Sequence, residues 1–172
     1  FYMLFRYFGQ QAAWERKGFR FKMPIKLLDS TLVSLTISVY DWAHYTTSKG
    51  AVKMHTLLDY DCLLPEFMNI TGGKRTDNKA AFDIEIKPHS IVVADRGYCD
   101  YGLLNHWDSN NVFYVVRHKD DIQHRTIKEL PLPEKHAQNV LLDEIIEFEL
   151  PTAKDKCPKR LRRIAVWDEE HG

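Results

Sequence analysis

Ser90-Ile91-Val92-Val93-Ala94-Asp95 is a β-branched, apolar run that ends in an acid. Such runs are typical of a central strand that is buried on both faces. Pro88 ends a helix predicted over residues 78–87 just upstream, and Asp100 stands where it can cap a second helix just downstream. A strand between two helices implies parallel crossovers, which are almost always right-handed. The stretch therefore predicts an α/β sheet.

Upstream of this run, the sequence predicts strands that pair in antiparallel fashion. Residues 25–29 are mostly apolar and also end in an acid, and residues 32–40 alternate apolar with hydroxyl side chains. That period of two is typical of a strand with one face in the core. Residues 51–60 and 64–70 are joined by a short turn, so we expect an antiparallel hairpin.

Two helices and one further strand complete the predicted order. Asp77 is suited to cap the helix over residues 78–87. Leu103 and Trp107, four residues apart, indicate a helix after Asp100, and residues 112–116 form the next strand. Antiparallel strands followed by helix, strand, helix and strand fit a mixed sheet with flanking helices. We therefore predict an α/β fold of ribonuclease H-like type.

Amino-acid composition and residue pattern divide the sequence into three predicted parts. Residues 1–24 are dense in aromatic and basic side chains at helical spacing, and they are taken as an N-terminal helical segment. Residues 25–118 would form the first part of the ribonuclease H-like core. Residues 119–172 would form part of a β-rich insertion, with long strands at 140–150 and 160–167 around a turn. Both ends of the chain look cut.

Composition excludes several classes of protein. The 172 residues suit one domain or little more, and the hydrophobic fraction of 44% is that of a globular protein. No apolar run approaches the ~20 residues that span a bilayer, so no membrane role is expected. The three cysteines form no C-x-x-C pair, which argues against structural zinc and favours reduced thiols in the cytoplasm.

The charges cancel in number but not in position. The 24 basic residues equal the 24 acidic ones, which is mild evidence against DNA binding. Two basic groups stand out, namely Lys159, Arg160, Arg162 and Arg163 in one run, and Lys49, Lys53, Lys74, Arg75 and Lys79 in a looser one. Each group can bind phosphate, and each can equally be a solvated face.

Asp29 and Asp95 stand out because each ends a predicted core strand. Either acid alone is readily explained as a cap of the following turn. Neighbouring strands would set the two carboxylates side by side, where their repulsion favours a divalent cation between them. Mg²⁺ prefers oxygen ligands and is usually held by one or two carboxylates, waters and phosphate. We predict that both acids bind Mg²⁺ (or Mn²⁺) and act in phosphodiester chemistry.

Four segments, in order and spacing across about residues 25–119, resemble the IS4-family insertion-sequence transposases. They are Leu28-Asp29-Ser30-Thr31, Thr47-Ser48-Lys49-Gly50-Ala51-Val52-Lys53-Met54-His55, Asp95-Arg96-Gly97-Tyr98 and Phe113-Tyr114-Val115-Val116-Arg117-His118-Lys119. The Asp-Arg-Gly-Tyr box after an apolar strand, together with the upstream Lys-Gly-x-x-Lys-x-His, is fairly specific. Either box alone would be weak.

The resemblance implies a ribonuclease H-like fold with a catalytic Asp-Asp-Glu triad and a β-strand insertion before the Glu. Asp29 matches the first Asp and Asp95 the second. The family's Glu lies in a Tyr-x2-Arg-x3-Glu-x6-Lys helix, and no such pattern occurs in this sequence. The third carboxylate is therefore expected beyond residue 172, and the chain as given is expected to be inactive or nearly so.

Basic residues around the two acids are candidates for DNA contacts. Lys49, Lys53 and Arg96 are suited to hold phosphates, since Lys and Arg supply most such contacts. Arg117 and Lys119 flank the last core strand and would either reach the same site or stay solvated. The neighbouring His55 and Tyr98 are better explained as structural residues. Gly97 is expected to permit a turn that a side chain would crowd.

The resemblance implies cut-and-paste DNA transposition, in which water cleaves at the transposon end and the freed 3′-hydroxyl attacks target DNA. The partners would be transposon ends and target DNA, held by a homodimer in the bacterial cytoplasm at the nucleoid. Two other functions stay open. One is a ribonuclease H-like nuclease without strand transfer, and the other is a non-enzymatic DNA-binding remnant of a transposase.

Overall fold

The computed structural model describes residues 22–35, 50–132 and 139–167. The chain divides into two compact units, Phe1–His118 and Lys119–Gly172. The predicted N-terminal helix, the end of the predicted strand over 32–40 and Lys49 all lie outside the described residues. Within the described ranges, no helix is long and apolar enough to cross a membrane.

A mixed five-stranded sheet forms the first unit and confirms the predicted fold class. Its strands are β1 Ile25–Leu35, β2 Gly50–Asp59, β3 Pro65–Gly72, β4 Ile91–Ala94 and β5 Phe113–Val116. The strand order is β3-β2-β1-β4-β5. β1, β2 and β3 pair antiparallel, whereas β4 pairs parallel with both β1 and β5. The order matches a ribonuclease H-like sheet with helical crossovers.

β1 is one continuous strand, although the sequence predicted two with a break after Asp29. The break is absent because Asp29, Ser30 and Thr31 continue the antiparallel ladder with β2, opposite Thr56, His55 and Met54. Backbone pairing satisfies these polar residues as readily as apolar ones, since the ladder uses main-chain groups. The acid therefore lies within a strand and not at its end.

The first helix, α1 Asp77–Ala81, is much shorter than the predicted helix over residues 78–87. The N-cap is Thr76, which makes no side-chain cap bond, so the predicted capping role of Asp77 is wrong. Beyond the helix, Ile84 and Ile86 are buried while Glu85 between them is exposed. That alternation belongs to extended chain, and burying both isoleucines outweighs local helix propensity.

The second helix, α2 Tyr101–Ser109, confirms the prediction. The Asp100 carboxylate caps it by accepting a hydrogen bond from the Leu103 amide at 3.0 Å. Leu103, Leu104 and Trp107 are its buried residues, and the Trp107 ring lies 5.9 Å from that of Tyr114 on β5. This face of the helix belongs to the core of the first unit.

A three-stranded antiparallel sheet forms the second unit. Its strands are β6 His124–Glu129, β7 Val140–Phe148 and β8 Leu161–Val166, in the order β6-β7-β8. β7 and β8 match the two predicted strands, but a short helix, α3 Pro151–Lys156, replaces the predicted turn. β6 was not predicted, because its one apolar residue, Ile127, leaves no alternation to read.

Ion pairs between neighbouring strands of the second sheet involve two of the four residues of the basic run, Arg162 and Arg163. Arg162 Nε donates to Asp143 Oδ1 at 2.8 Å, and Arg163 Nη1 donates to Glu144 Oε1 at 2.6 Å. Both acids are buried on β7. Arg162 and Arg163 therefore serve the sheet itself, and the solvated-face interpretation of the run is too simple for these two residues.

Candidate metal and DNA site

The parallel pairing of β1 with β4 sets the level of the two predicted metal ligands. Leu28 pairs with Ala94 in that ladder, and Asp29 and Asp95 are the next residue on each strand. Strands of one sheet lie about 4.8 Å apart, and both acids are exposed. The structure thus brings Asp29 and Asp95 to the same level on neighbouring strands.

Asp95 lies where the chain leaves the sheet and turns at once. β4 ends at Ala94, and a single 3-10 turn follows over Arg96–Tyr98. The amide of Tyr98 donates to the carbonyl of Asp95 at 3.0 Å, which closes the turn. Asp95 itself keeps extended backbone, with φ −74° and ψ 170°. Its side chain is therefore held at the tip of a buried strand.

Tyr98 packs beneath these acids in the core and is only 2% exposed. Burial raises the pKa of its phenol, and the nearby carboxylates of Asp77, Asp29 and Asp95 raise it further. The Ser30 hydroxyl lowers the pKa of the phenol, by more than any one of the three carboxylates raises it. Even so, no residue of the described ranges meets hydrogen-bond geometry with the Tyr98 hydroxyl. Tyr98 thus marks a point close to both acids.

Asp77 is a site residue that the sequence reasoning missed. Its Oδ1 accepts hydrogen bonds from Ser30 Oγ at 2.7 Å and from Lys53 Nζ at 3.0 Å. Burial raises the pKa of this carboxyl, but the two hydrogen bonds and the charge of Lys53, with a contribution from His55, together outweigh burial and hold the pKa below its usual value. Asp77 therefore links β1 and β2 as an ion. No local motif marks it, since Ser30 is 47 residues away.

His55 lies beside this carboxylate with no exposure to solvent. Its Nε2 is 3.0 Å from Thr71 Oγ1, and its Nδ1 is 3.8 Å from Asp77 Oδ1. Burial lowers the pKa of the imidazole more than Asp77 raises it, so the ring is neutral at pH 7. The structural role suggested by the sequence stays a prediction, since Nδ1 has no hydrogen-bond partner within the described ranges.

Gly97 is required by the same carboxylate. A Cβ at position 97 would lie 3.3 Å from Asp77 Oδ2, closer than most Cβ contacts. A side chain there would push Asp77 away from the 3-10 turn. The crowding that the sequence predicted for Gly97 thus has an identified source.

The predicted DNA contacts differ in how they are placed. Arg96 is exposed directly after Asp95, and Arg117 is exposed with its amide 3.4 Å from the carbonyl of Ala94. Both therefore lie at the edge of the sheet that carries Asp95. Lys53 is bound to Asp77, and its side chain is 19% exposed. Lys119 begins the second unit, so it is not assigned to this edge.

A family model described as a transposase DDE domain matches residues 20–164. This chain belongs to the transposase DDE domain family. The family resemblance seen in the sequence is thereby confirmed, and the IS4 subfamily is consistent with it. Transposase DDE domains generally use divalent metal ions.

Two curated relatives agree with this family. The chain is 26% identical over 157 residues to "Probable transposase for insertion sequence element IS5377" of Geobacillus stearothermophilus, covering 91% of this chain and 41% of the relative. It is 25% identical over 143 residues to "Putative transposase y4zB" of Sinorhizobium fredii (strain NBRC 101917 / NGR234), covering 83% and 40%. The chain thus spans about two fifths of each relative. No solved structure matches it significantly.

The donor atoms of this DDE domain suit a hard cation. Two exposed carboxylates at one level offer oxygen ligands, and Mg²⁺ typically takes one or two of these and keeps its waters. Within residues 22–35, 50–132 and 139–167, no group of three or more His, Cys, Asp or Glu side chains could hold a metal. The pair fits a weakly held divalent ion and not a closed zinc site.

Proposed function

We propose that Asp29 and Asp95 hold Mg²⁺ or Mn²⁺ in the front part of the catalytic core of a DNA transposase. The observation that carries this proposal is the register of β1 and β4, which aligns Leu28 with Ala94 and so puts the two exposed acids level. The family match supports the function, and two oxygen donors support the choice of ion.

The proposed reaction is phosphodiester hydrolysis at the transposon end, followed by attack of the freed 3′-hydroxyl on target DNA. Divalent ions held by Asp29 and Asp95 would supply Lewis-acid stabilisation of the attacking and leaving oxygens. The protein's own part is positional. Asp29 and Asp95 fix the donor oxygens, because β1 and β4 are held by the sheet on both sides.

Basic side chains supply the proposed DNA contacts. Arg96 and Arg117 are exposed on the edge that carries Asp95, where they can hold a phosphate beside the acids. Lys53, Lys49 and Lys119 remain proposed contacts of the same kind. The proposed partners are transposon ends and target DNA, bound by a homodimer in the bacterial cytoplasm at the nucleoid.

Two carboxylates carry less charge than the three of a complete triad, so the chain as given should bind metal weakly. We also propose that it does not cleave DNA at a measurable rate. A plasmid-nicking assay in Mn²⁺ tests this second statement. Nicking that persists in wild type but disappears in Asp95→Asn would show that two carboxylates suffice.

The metal site is tested by calorimetric titration of Mn²⁺ into wild type, Asp29→Asn and Asp95→Asn. We expect weak binding by wild type and no detectable binding by either variant, because each loses an anionic ligand. Asp83→Asn is the matched control, since Asp83 is exposed and pairs with Arg75. Equal binding by all four proteins would refute the site.

A further inference from the structure

The Asp77 carboxylate links two strands of the first unit and lies close to the turn after a third. Its Oδ1 accepts hydrogen bonds from Ser30 on β1 at 2.7 Å and from Lys53 on β2 at 3.0 Å. Its Oδ2 lies 3.3 Å from the position of a Cβ at Gly97, in the 3-10 turn after β4. Thr76, and not Asp77, is the N-cap residue of α1.

The two hydrogen bonds of Asp77 and its close approach to Gly97 all involve residues near a proposed metal ligand. Ser30 follows Asp29, and Gly97 is the second residue after Asp95. Lys53 lies on β2, which pairs with β1 along its whole length. A shift of the Asp77 carboxylate would therefore displace the backbone near both Asp29 and Asp95.

Asp77 is not a ligand itself. Successive residues of a strand point to opposite faces, so Ser30 and Asp29 project to opposite sides of β1. The Asp77 oxygen is bound to Ser30 and Lys53, on the side where Leu28 and His55 are buried. Any influence on Asp29 must therefore pass through the backbone or through the electric field.

Asp77, Lys53 and His55 form a cluster that is mostly shielded from water. Loss of the Asp77 charge would therefore not be compensated by solvent. The side chains of Asp77 and Lys53 are 24% and 19% exposed, and that of His55 is 0% exposed. Removing the carboxylate charge would leave the Lys53 ammonium and the Ser30 hydroxyl without their anionic partner. Interactions of charged, half-buried groups hold geometry more firmly than neutral ones.

We propose that Asp77 is a positioning residue that holds the backbone of Asp29 and Asp95 in the spacing needed to bind a divalent ion. This inference rests on the proposed function, because it assumes that the two acids form the metal site. It adds a residue outside the metal ligands on which metal affinity depends.

The first test compares Mn²⁺ affinity of wild type, Asp77→Asn and the control Asp83→Asn at a temperature where all three are folded by circular dichroism. We expect Asp77→Asn to bind about tenfold more weakly, the usual effect of losing a residue that orients metal ligands. Asp83→Asn should bind as wild type does. Equal affinity of Asp77→Asn and wild type would overturn the proposal.

A second comparison separates position from charge. If Asp77 acts only through its charge, Lys53→Met should strengthen Mn²⁺ binding, and the double variant Lys53→Met/Asp77→Asn should restore wild-type affinity. If Asp77 acts by position, the double variant should stay about tenfold weaker. Restoration of affinity in the double variant would overturn the positioning role.

A third measurement does not depend on metal. The amides of Tyr98 and Cys99 close the 3-10 turn, with hydrogen bonds of 3.0 Å and 3.1 Å to Asp95 and Arg96. In Asp77→Asn we expect their hydrogen exchange to speed up relative to Asp83→Asn, because a neutral carboxamide is held less firmly by Ser30 and Lys53 in its place beside the turn. If wild type binds no Mn²⁺, the proposed function fails. The amide exchange rates still test whether Asp77 holds the backbone of the turn in place. Unchanged exchange would overturn it.

Discussion

Tyr98 carries a buried hydroxyl that has no hydrogen-bond partner among residues 22–35, 50–132 and 139–167. The residue is 2% exposed, and its neighbours are Ser30 and three carboxylates rather than apolar side chains alone. A buried polar group without a hydrogen bond costs roughly 1–3 kcal/mol. Such groups in native proteins often mark a place where water or an ion completes the structure.

Tyr98→Phe should leave the free energy of unfolding of the metal-free protein unchanged or raise it. The substitution keeps the ring in the core and removes only an oxygen to which no described residue is hydrogen-bonded. Urea unfolding monitored by circular dichroism measures the effect. A loss of more than about 1 kcal/mol would show that the hydroxyl makes a hydrogen bond in solution.

The β2–β3 hairpin is held by one acid at its turn. Asp59 Oδ1 accepts from the amides of Asp61 and Cys62 at 2.9 Å and 3.1 Å, and its Oδ2 accepts from Lys26 Nζ on β1 at 2.6 Å. The Lys26 side chain is 5% exposed, so this ammonium depends on Asp59 and Glu66 as partners. The hairpin turn and the central strand are thereby coupled.

Asp59→Asn should destabilise the protein by about 2 kcal/mol, because a buried ammonium loses a charged partner. The control Asp61→Asn changes the neighbouring acid of the same turn. Urea unfolding at pH 7 compares the two variants. An equal, small effect of both would mean that Glu66 alone suffices for Lys26.

The same ion pair predicts a pH dependence of stability. Burial raises the pKa of Asp59, but the hydrogen bonds from Lys26 and Cys62 and the positive charge of Lys26 together outweigh burial, and the folded pKa lies below the ordinary 3.8. This contribution is therefore complete above about pH 4 and is lost as pH falls through the folded pKa. Wild type should lose stability below pH 4 more steeply than Asp59→Asn does. Parallel curves of unfolding free energy against pH would contradict this.

Over the whole molecule, positive and negative charges are equal in number, but the basic residues differ in whether they are paired with acids or exposed. In the second unit, Arg162 and Arg163 are bound to the buried acids Asp143 and Glu144. In the first unit, Arg96 is exposed beside Asp95. A net charge of zero therefore gives no measure of how many cations are available to phosphate.

Arg96→Gln should weaken binding to short duplex DNA and reduce the slope of log K against log salt by about 0.9, since one phosphate contact is lost. Arg162→Gln should leave both quantities unchanged and lower stability instead. Fluorescence anisotropy at several salt concentrations measures binding, and thermal melting measures stability. A reduced slope for Arg162→Gln and none for Arg96→Gln would reverse this assignment.

Local patterns in the sequence determined much of the molecule. The apolar run before Asp95 became a parallel central strand, Asp100 became a helix cap, and the fold class followed from the order of elements. These features depend on residues close in sequence or on periodicity, both of which can be read directly. The metal-binding role of Asp29 and Asp95 was inferred in the same way and stays a prediction.

Only the tertiary structure decided the length of α1, the existence of β6 and the role of Asp77. β6 is polar, yet it is a strand because its main chain pairs with β7. Asp77 does not cap the helix as expected, because its carboxylate binds Ser30, 47 residues away, and Lys53, 24 residues away. Contacts between distant residues depend on how the strands assemble in space, and no window of sequence contains that information.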